Sequence, residues 1–297
     1  MLINSTSLNA LRVGFSAAFK RGLDQAEPDY KKIATIVPST TKENKYGWLG
    51  KMPNMREWIG ARVVHGIAEH DYAIKNKPFE LTISVDRDDI EDDNLGVYDP
   101  LFVNMGESVS AHPDQLCFGA LKNGFSMECF DGQFFFDTDH PVLAEDGSEE
   151  TISNMTAGAS APWFLLCTNR SLKPIIYQER RKAQFVAHDN PKDESVFRNK
   201  EFVYGTDGRW NAGFGFWQMA HGSKSELNAE TYAAARAAIM GMKGDHGRPL
   251  GLVPNLLVVD PTNEGAAREI LMNERDANGA TNKWRNTAEL LVSPWLA

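Results

Sequence analysis

No apolar run in this chain approaches the about 18 residues that a transmembrane helix needs. The first residues, Met1-Leu2-Ile3-Asn4-Ser5, do not lead a charged segment into an apolar one. Neither a membrane span nor a signal peptide is therefore expected. Cysteine is scarce: Cys117, Cys129 and Cys167 are the only three, with no C-x-x-C pair among them. An odd set without ligand spacing reads as buried thiols in a reducing compartment. Basic charge is short too, with 31 Lys and Arg against 40 Asp and Glu for a net charge of −9. Gripping a phosphate backbone needs clustered Lys and Arg, so the charge argues against broad phosphate-backbone binding. The chain has no G-x-S-x-G, H-E-x-x-H or Walker sequence, and none of its seven histidines lies beside both a nucleophile and an orienting carboxylate.

What is present is the composition of a soluble globular protein, 42% hydrophobic and 24% charged over 297 residues. The most unusual stretch begins at Tyr46-Gly47-Trp48-Leu49-Gly50 and continues through Arg56-Glu57-Trp58-Ile59-Gly60. Large aromatics set among glycine, proline and lysine do not make a core helix. They suit an extended excursion whose apolar side chains, Trp48, Leu49, Met52, Met55 and Trp58, are covered by another copy of the chain. Alternation over residues 72–74 and 79–85 fits half-buried strands that bring the chain back. A ribbon of this kind is marginal alone.

Elsewhere the periodicity sets out an α+β protein. Leu8, Leu11, Phe15, Ala18, Phe19 and Leu23 predict an amphipathic helix over residues 7–23. Asp99-Pro100 suits the start of a second helix ending at Gly124, roughly 35 Å long, which Pro113 should kink or split. Short β-branched and aromatic runs predict strands at 130–136, 161–168, 174–186, 201–205 and 211–220. A helix is marked at 228–243, opened by Asn228 and closed by Gly244. A strand at 256–259, a cap at Asp260-Pro261, a helix at 264–273 and a strand at 288–292 complete the reading.

Each group of residues that could carry chemistry has a plainer explanation. Asp137, Asp139 and His140 offer two carboxylates and an imidazole within a few positions, a donor set that can begin a metal site. No second His/Asp cluster at helical spacing accompanies them, and a turn after Phe134-Phe135-Phe136 uses the same residues. The acidic run holds Asp86, Asp88, Asp89, Glu91, Asp92 and Asp93. Read as a calcium loop from Asp89 it fails, because Asn94 and Pro100 stand where Gly and Glu are needed. It reads as a solvated face, or as one that pairs with basic residues of another subunit, with Arg180 and Arg181 as candidate donors. No catalytic, cofactor-binding or metal residue is expected.

Several ordered motifs then carry a resemblance. Tyr46-Gly47-Trp48-Leu49-Gly50, Asn76-Lys77-Pro78-Phe79-Glu80, Arg87-Asp88-Asp89-Ile90-Glu91-Asp92-Asp93, Asp131-Gly132-Gln133, Asp137-Thr138-Asp139-His140-Pro141 and Lys173-Pro174-Ile175-Ile176 resemble the major head subunit family of Mu-like phages and prophages. The similarity runs to Ser293-Pro294-Trp295-Leu296 and so spans nearly the whole chain.

This resemblance implies the Hong Kong 97-type capsid fold. It assigns residues 1–30 to an N-terminal arm, 31–80 to an extended loop, 81–129 to a peripheral domain with a spine helix, 130–260 to an axial domain, and 261–297 to a return to the peripheral domain. It also implies self-assembly through hexamers and pentamers into an icosahedral shell around double-stranded DNA, with separate scaffold and protease, portal and decoration proteins as partners. Assembly would take place in the host cytoplasm. Two other readings remain open at this point: another virion component, such as a tail or decoration protein, and a metal-dependent enzyme built on Asp137, Asp139 and His140.

Overall fold

The computed structural model describes residues 2–49, 72–92, 95–276 and 279–297. It begins with helix α1 (Ser5–Gln25), opened by Asn4, whose side chain accepts from the Thr6 and Ser7 backbone N–H groups in a capping box. A single turn, α2 (Tyr30–Ile33), leads into strand β1 (Ala34–Pro38). Strands β2 (Glu43–Lys45) and β3 (Ala73–Lys75) pair antiparallel, so the chain does go out and come back. Residues 55–69, which by sequence could hold a short helical piece, lie outside the described residues. Strand β4 (Lys77–Asp86), the short helix α3 (Arg87–Glu91) and the long helix α4 (Asp99–Asn123) follow.

Helix α4 is one element through Pro113, not two. The residue after the proline explains part of its tolerance: the Asp114 carboxylate accepts from the Tyr30 and Asp29 N–H groups at 2.6 and 3.1 Å. The tertiary structure thus holds the helix where the proline removes a backbone bond. Asp99 is the first helical residue, with Tyr98 as the cap position.

The hairpin β5 (His140–Leu143) and β6 (Glu149–Ile152) precedes β7 (Met155–Thr156), β8 (Trp163–Leu166) and β9 (Ile175–His188). After α5 (Glu194–Asn199) comes β10 (Glu201–Phe214), then β11 (Ala220–Ser223) and α6 (Ala229–Met240). A minimal hairpin, β12 (Lys243–Gly244) and β13 (Arg248–Pro249), precedes β14 (Leu256–Val259), α7 (Glu264–Leu271) and β15 (Glu289–Val292).

These strands make two main sheets. The first has the order β1-β9-β10-β4, with β9, β10 and β4 antiparallel and β1 parallel to β9. Helices α1 and α4 cover one face through Phe15, Phe19, Phe102 and Met105, which meet Val85, Phe202 and Tyr204 of the sheet. The second has the order β15-β14-β8-β11-β7. Its central strands β8 and β14 are buried at every position, as an unbroken apolar run such as Leu256-Leu257-Val258-Val259 requires.

Four expectations need correction. Residues 130–136 form no strand: a single bridge links Glu128 and Phe134, while Phe135 and Phe136 plug the core. The runs at 201–205 and 211–220 belong largely to one strand, β10. Residues 31–80 are not all extended loop, because β1 and the start of β4 are built into the first sheet. The last strand, β15, joins the second sheet, and the terminal turn reaches α4, where the Lys122 ammonium donates to the Ala297 carbonyl.

Candidate assembly surface

The excursion is rooted by a buried polar network that packing alone would not produce. Gln178 sits fully buried on β9. Its Oε1 accepts from the Tyr46 hydroxyl at 2.7 Å, and its Nε2 donates to the Ile74 carbonyl at 3.0 Å and to Asn76 Oδ1 at 2.8 Å. Asn76 Nδ2 in turn donates to Ser39 Oγ and to the Thr41 carbonyl. The two strands of the ribbon and the central sheet are thereby fixed in one register. Every member of such a network is satisfied, which is the condition for burying polar groups without penalty. Desolvation raises the Tyr46 hydroxyl to about 12, so it stays a donor.

This root changes the role of two residues. Leu49 is 0% exposed within its own chain, and Trp48 is half-buried, 5.8 Å from the Phe216 ring centroid. Leu49 therefore packs into the core and has no surface left for a neighbour; Trp48 keeps only part of one. Met52, Met55 and Trp58 lie outside the described residues. The signal that sequence reasoning missed is Gln178, an amide standing where the apolar run Ile175-Ile176-Tyr177 gives way to Glu179-Arg180-Arg181-Lys182.

The acidic run also has partners within its own chain. Asp86 caps α3 by accepting from the Asp88 N–H, Asp88 pairs with Lys200, and Asp89 accepts from the Tyr98 hydroxyl. Arg87 bridges Glu91 at 2.9 Å, and Arg181 pairs with Asp207 across β9 and β10. The hydrogen bond to Asp88 raises the Lys200 ammonium above its ordinary value. Intersubunit pairing is thus not needed to account for Asp86, Asp88, Asp89 or Arg181. Asp92 is exposed, Arg180 is half-buried, and Asp93 lies outside the described residues.

Asp137, Asp139 and His140 do not converge. Asp137 accepts from the Thr138 and Phe134 N–H groups in a turn, while Asp139 is exposed and is raised by sharing a hydrogen bond with Asp137. His140 points inward at 0% exposure, with Asp131 Oδ2 2.7 Å from Nδ1 and the Trp217 ring stacked 3.9 Å away. The metal set read from sequence is not formed: Asp137 and Asp139 share a hydrogen bond in the turn, while His140 turns into the core toward Asp131.

Among the apolar features at the surface of the described residues, two bear on assembly. Phe197, on α5 at the tip of the β9–β10 hairpin, is 88% exposed. Between α4 and the first sheet lies a cleft of about 110 Å³ lined by Phe79, Leu81, Val109, His112, Thr206 and Trp210. At its end Trp210 Nε1 donates to His112 Nδ1 at 2.9 Å, and desolvation lowers the His112 pKa.

The family model of the Mu-like prophage major head subunit gpT matches residues 8–296. The chain is 41% identical over 305 residues to the major capsid protein of Escherichia phage Mu, covering 100% of both. It is 43% identical over 300 residues to the Mu-like prophage FluMu major head subunit of Haemophilus influenzae, covering 97% of each. Among solved structures it is similar to a chain of the bacteriophage JBD30 procapsid, with a TM-score of 0.88, 47% identity, and 99% of this chain and 100% of that chain covered.

Proposed function

Since the chain belongs to the Mu-like prophage major head subunit family, we propose that copies of it associate as hexamers and pentamers and close into an icosahedral shell around double-stranded DNA. It is a major capsid protein with the α+β phage capsid fold. The observation that carries the proposal is the end-to-end similarity to a procapsid chain at a TM-score of 0.88.

In this reading the first sheet with α1 and α4 forms the peripheral part of each subunit, and α4 is its spine. The second sheet with α6 and α7 lies toward the capsomer centre. The β2–β3 ribbon starts the extended loop, and Met52, Met55 and Trp58 are the contacts it lays across a neighbour. Apolar burial there would contribute about 25 cal/mol per Å² before the costs of association. Phe197 at the hairpin tip supplies a second apolar contact, supported by its exposure and by the rigid β9–β10 hairpin that presents it.

The net charge of −9 supports a container that does not grip its contents, since a basic lining would hold the packaged polymer. The chain acts as a structural subunit of the virion and not as an enzyme. Scaffold and protease, portal and decoration proteins are its partners, and assembly takes place in the host cytoplasm.

The test is electron microscopy of the concentrated full chain, with and without its scaffold protein, alongside light scattering. Closed shells, or five-fold and six-fold rings, are expected. Tubes or free trimers would move the chain to another virion role, and monomers or dimers under both conditions would refute assembly.

A further inference from the structure

The imidazole that sequence reading associated with Asp137 and Asp139 keeps different company. Cys129 and Asp131, in the turn after α4, and His140, at the start of β5, place one sulfur, one carboxylate oxygen and one ring nitrogen within 4.8 Å of one another. Cys129 and His140 are buried, and the Asp131 side chain is 7% exposed. Such a mixed S, N and O set is what borderline-soft divalent cations select.

A second observation is independent of this clustering. His140 Nδ1 faces Asp131 Oδ2 at 2.7 Å, and Nε2 faces Asn154 Oδ1 at 3.3 Å. Both neighbours are acceptors. The Asn154 amide cannot be turned around, because its Nδ2 donates to the Phe135 and Trp217 carbonyls at 2.8 and 3.2 Å while its Oδ1 accepts from the Asp137 N–H at 2.9 Å. A neutral imidazole carries one N–H and can satisfy only one of two facing acceptors. The second acceptor is met either by a second proton on the ring or by a cation at that nitrogen.

We propose that Cys129, Asp131 and His140 hold one zinc-class divalent cation that ties the turn after α4 to β5. His140 would ligate through Nδ1 and keep its single proton on Nε2, donated to Asn154 Oδ1, the arrangement that orients histidine ligands in metal sites. Cys129 would release its thiol proton to solvent on ligation. Thiolate and carboxylate together then balance the charge of the ion, so no net charge is buried. Three side-chain donors leave the remaining position to water. Without a cation, desolvation and Asp131 hold the Cys129 thiol well above its ordinary value, and it donates to Asp131 Oδ1 at 3.0 Å. The competing arrangement is a second proton on His140, giving an imidazolium stacked on Trp217.

The full chain, produced with added zinc and dialysed into metal-free buffer, tests this by elemental analysis and by replacement with Co²⁺. Retention of about one zinc per chain, a thiolate-to-cobalt charge-transfer band and a higher Tm with zinc than after chelation are the expected results. Cys129→Ser and Asp131→Asn preserve size and should each lose more affinity than the about 10–100-fold that outer-shell losses cost. A wild-type chain that retains no zinc and gives no cobalt band overturns the proposal and assigns the second position to a proton. Equal retention by both variants overturns it as well. The wild-type measurement stands even if a variant fails to fold.

Discussion

Gly106→Ala in α4 should loosen the packing of α1 on the first sheet. The two helices cross with glycine against glycine. A Cβ on Gly106 would stand 2.1 Å from the Phe19 carbonyl oxygen and 2.7 Å from the Leu23 nitrogen, and one on Gly22 would stand 2.0 Å from the Val103 oxygen. All of these neighbours are backbone, so no side chain can swing away. The axes would have to separate by about 1 Å, and a gap of that size forfeits a quarter to a half of each dispersion contact along the seam. That seam includes the stacked pair Phe15 and Phe102, whose ring centroids lie 4.2 Å apart. Overpacking costs about 1–3 kcal/mol, while removing a helical glycine returns up to about 1 kcal/mol. The clash should win, lowering Tm by a few degrees for a chain of this size. Gly14 and Gly119 lie in the same two helices with nothing within 4 Å of a Cβ, and they supply the control. Alanine at either should be neutral or stabilising. Thermal melts of Gly106→Ala and Gly119→Ala followed by far-UV circular dichroism decide the matter, and equal or reversed shifts would refute the close-crossing argument.

Gln178→Leu would strand the Tyr46 hydroxyl and the Asn76 amide at the ribbon root, and should cost at least about 1–3 kcal/mol in a chemical melt; an unchanged midpoint would show that the network carries no stability. Desolvation holds His221 down to about 4, against an ordinary value near ~6.5. Below that ordinary value the unfolded chain takes up a proton that the folded chain refuses, so stability falls with pH from about 6.5 toward about 4, by up to roughly 3 kcal/mol. The Tm-against-pH curve of His221→Gln should be flatter over that window, and parallel curves would sink the assignment. Phe197→Asp should leave the melt of the unassembled chain within about 0.5 kcal/mol of wild type yet reduce the yield of shells by light scattering; normal assembly would remove Phe197 from the contact surface.

What could be read from the sequence was local. The capping asparagine Asn228, the strand-cap-helix unit at Leu256–Val259 with Asp260, and the period of α4 are all written within a few residues of where they act, whereas the Asn4 cap of α1 was not read. The structure departs from sequence expectation where one segment depends on another far away. Residues 34–38 belong to the central sheet only because Ala34 meets Ile175, and Glu201 meets Asp86 only once the chain has folded back. The same holds for the candidate sites. His140 was legible as a ligand type, but its partner Asp131 lies nine positions upstream across a turn, whereas Asp137 and Asp139 were nearer in sequence and wrong in space. Leu49 and Trp48 had the residue types of a contact surface, and the buried ribbon root beside them made them partly core.

The same long-range pairing bears on how the molecule can move. A division near residue 130 would place a boundary between two bodies, yet three elements pass from one hydrophobic core to the other. Helix α4 puts Phe102 and Met105 in the smaller core and Phe118 and Leu121 in the larger. Strand β9 contributes Ile175 to the larger core and packs Phe185 against the smaller, and β10 buries Phe202 in the smaller and Phe214 in the larger. Relative motion of the two cores must therefore bend a helix and two strands together, with no linker to absorb it. Their soft points lie at one level. Pro113 interrupts the backbone bonding of α4, and the β9–β10 register slips between Asp207 and Trp210. His112 and Trp210 join these two places by a hydrogen bond, beside the cleft of about 110 Å³. A bulge, a proline and a void at one level are where bending costs least, so any bending of α4 and of the sheet behind it is expected there, in both together.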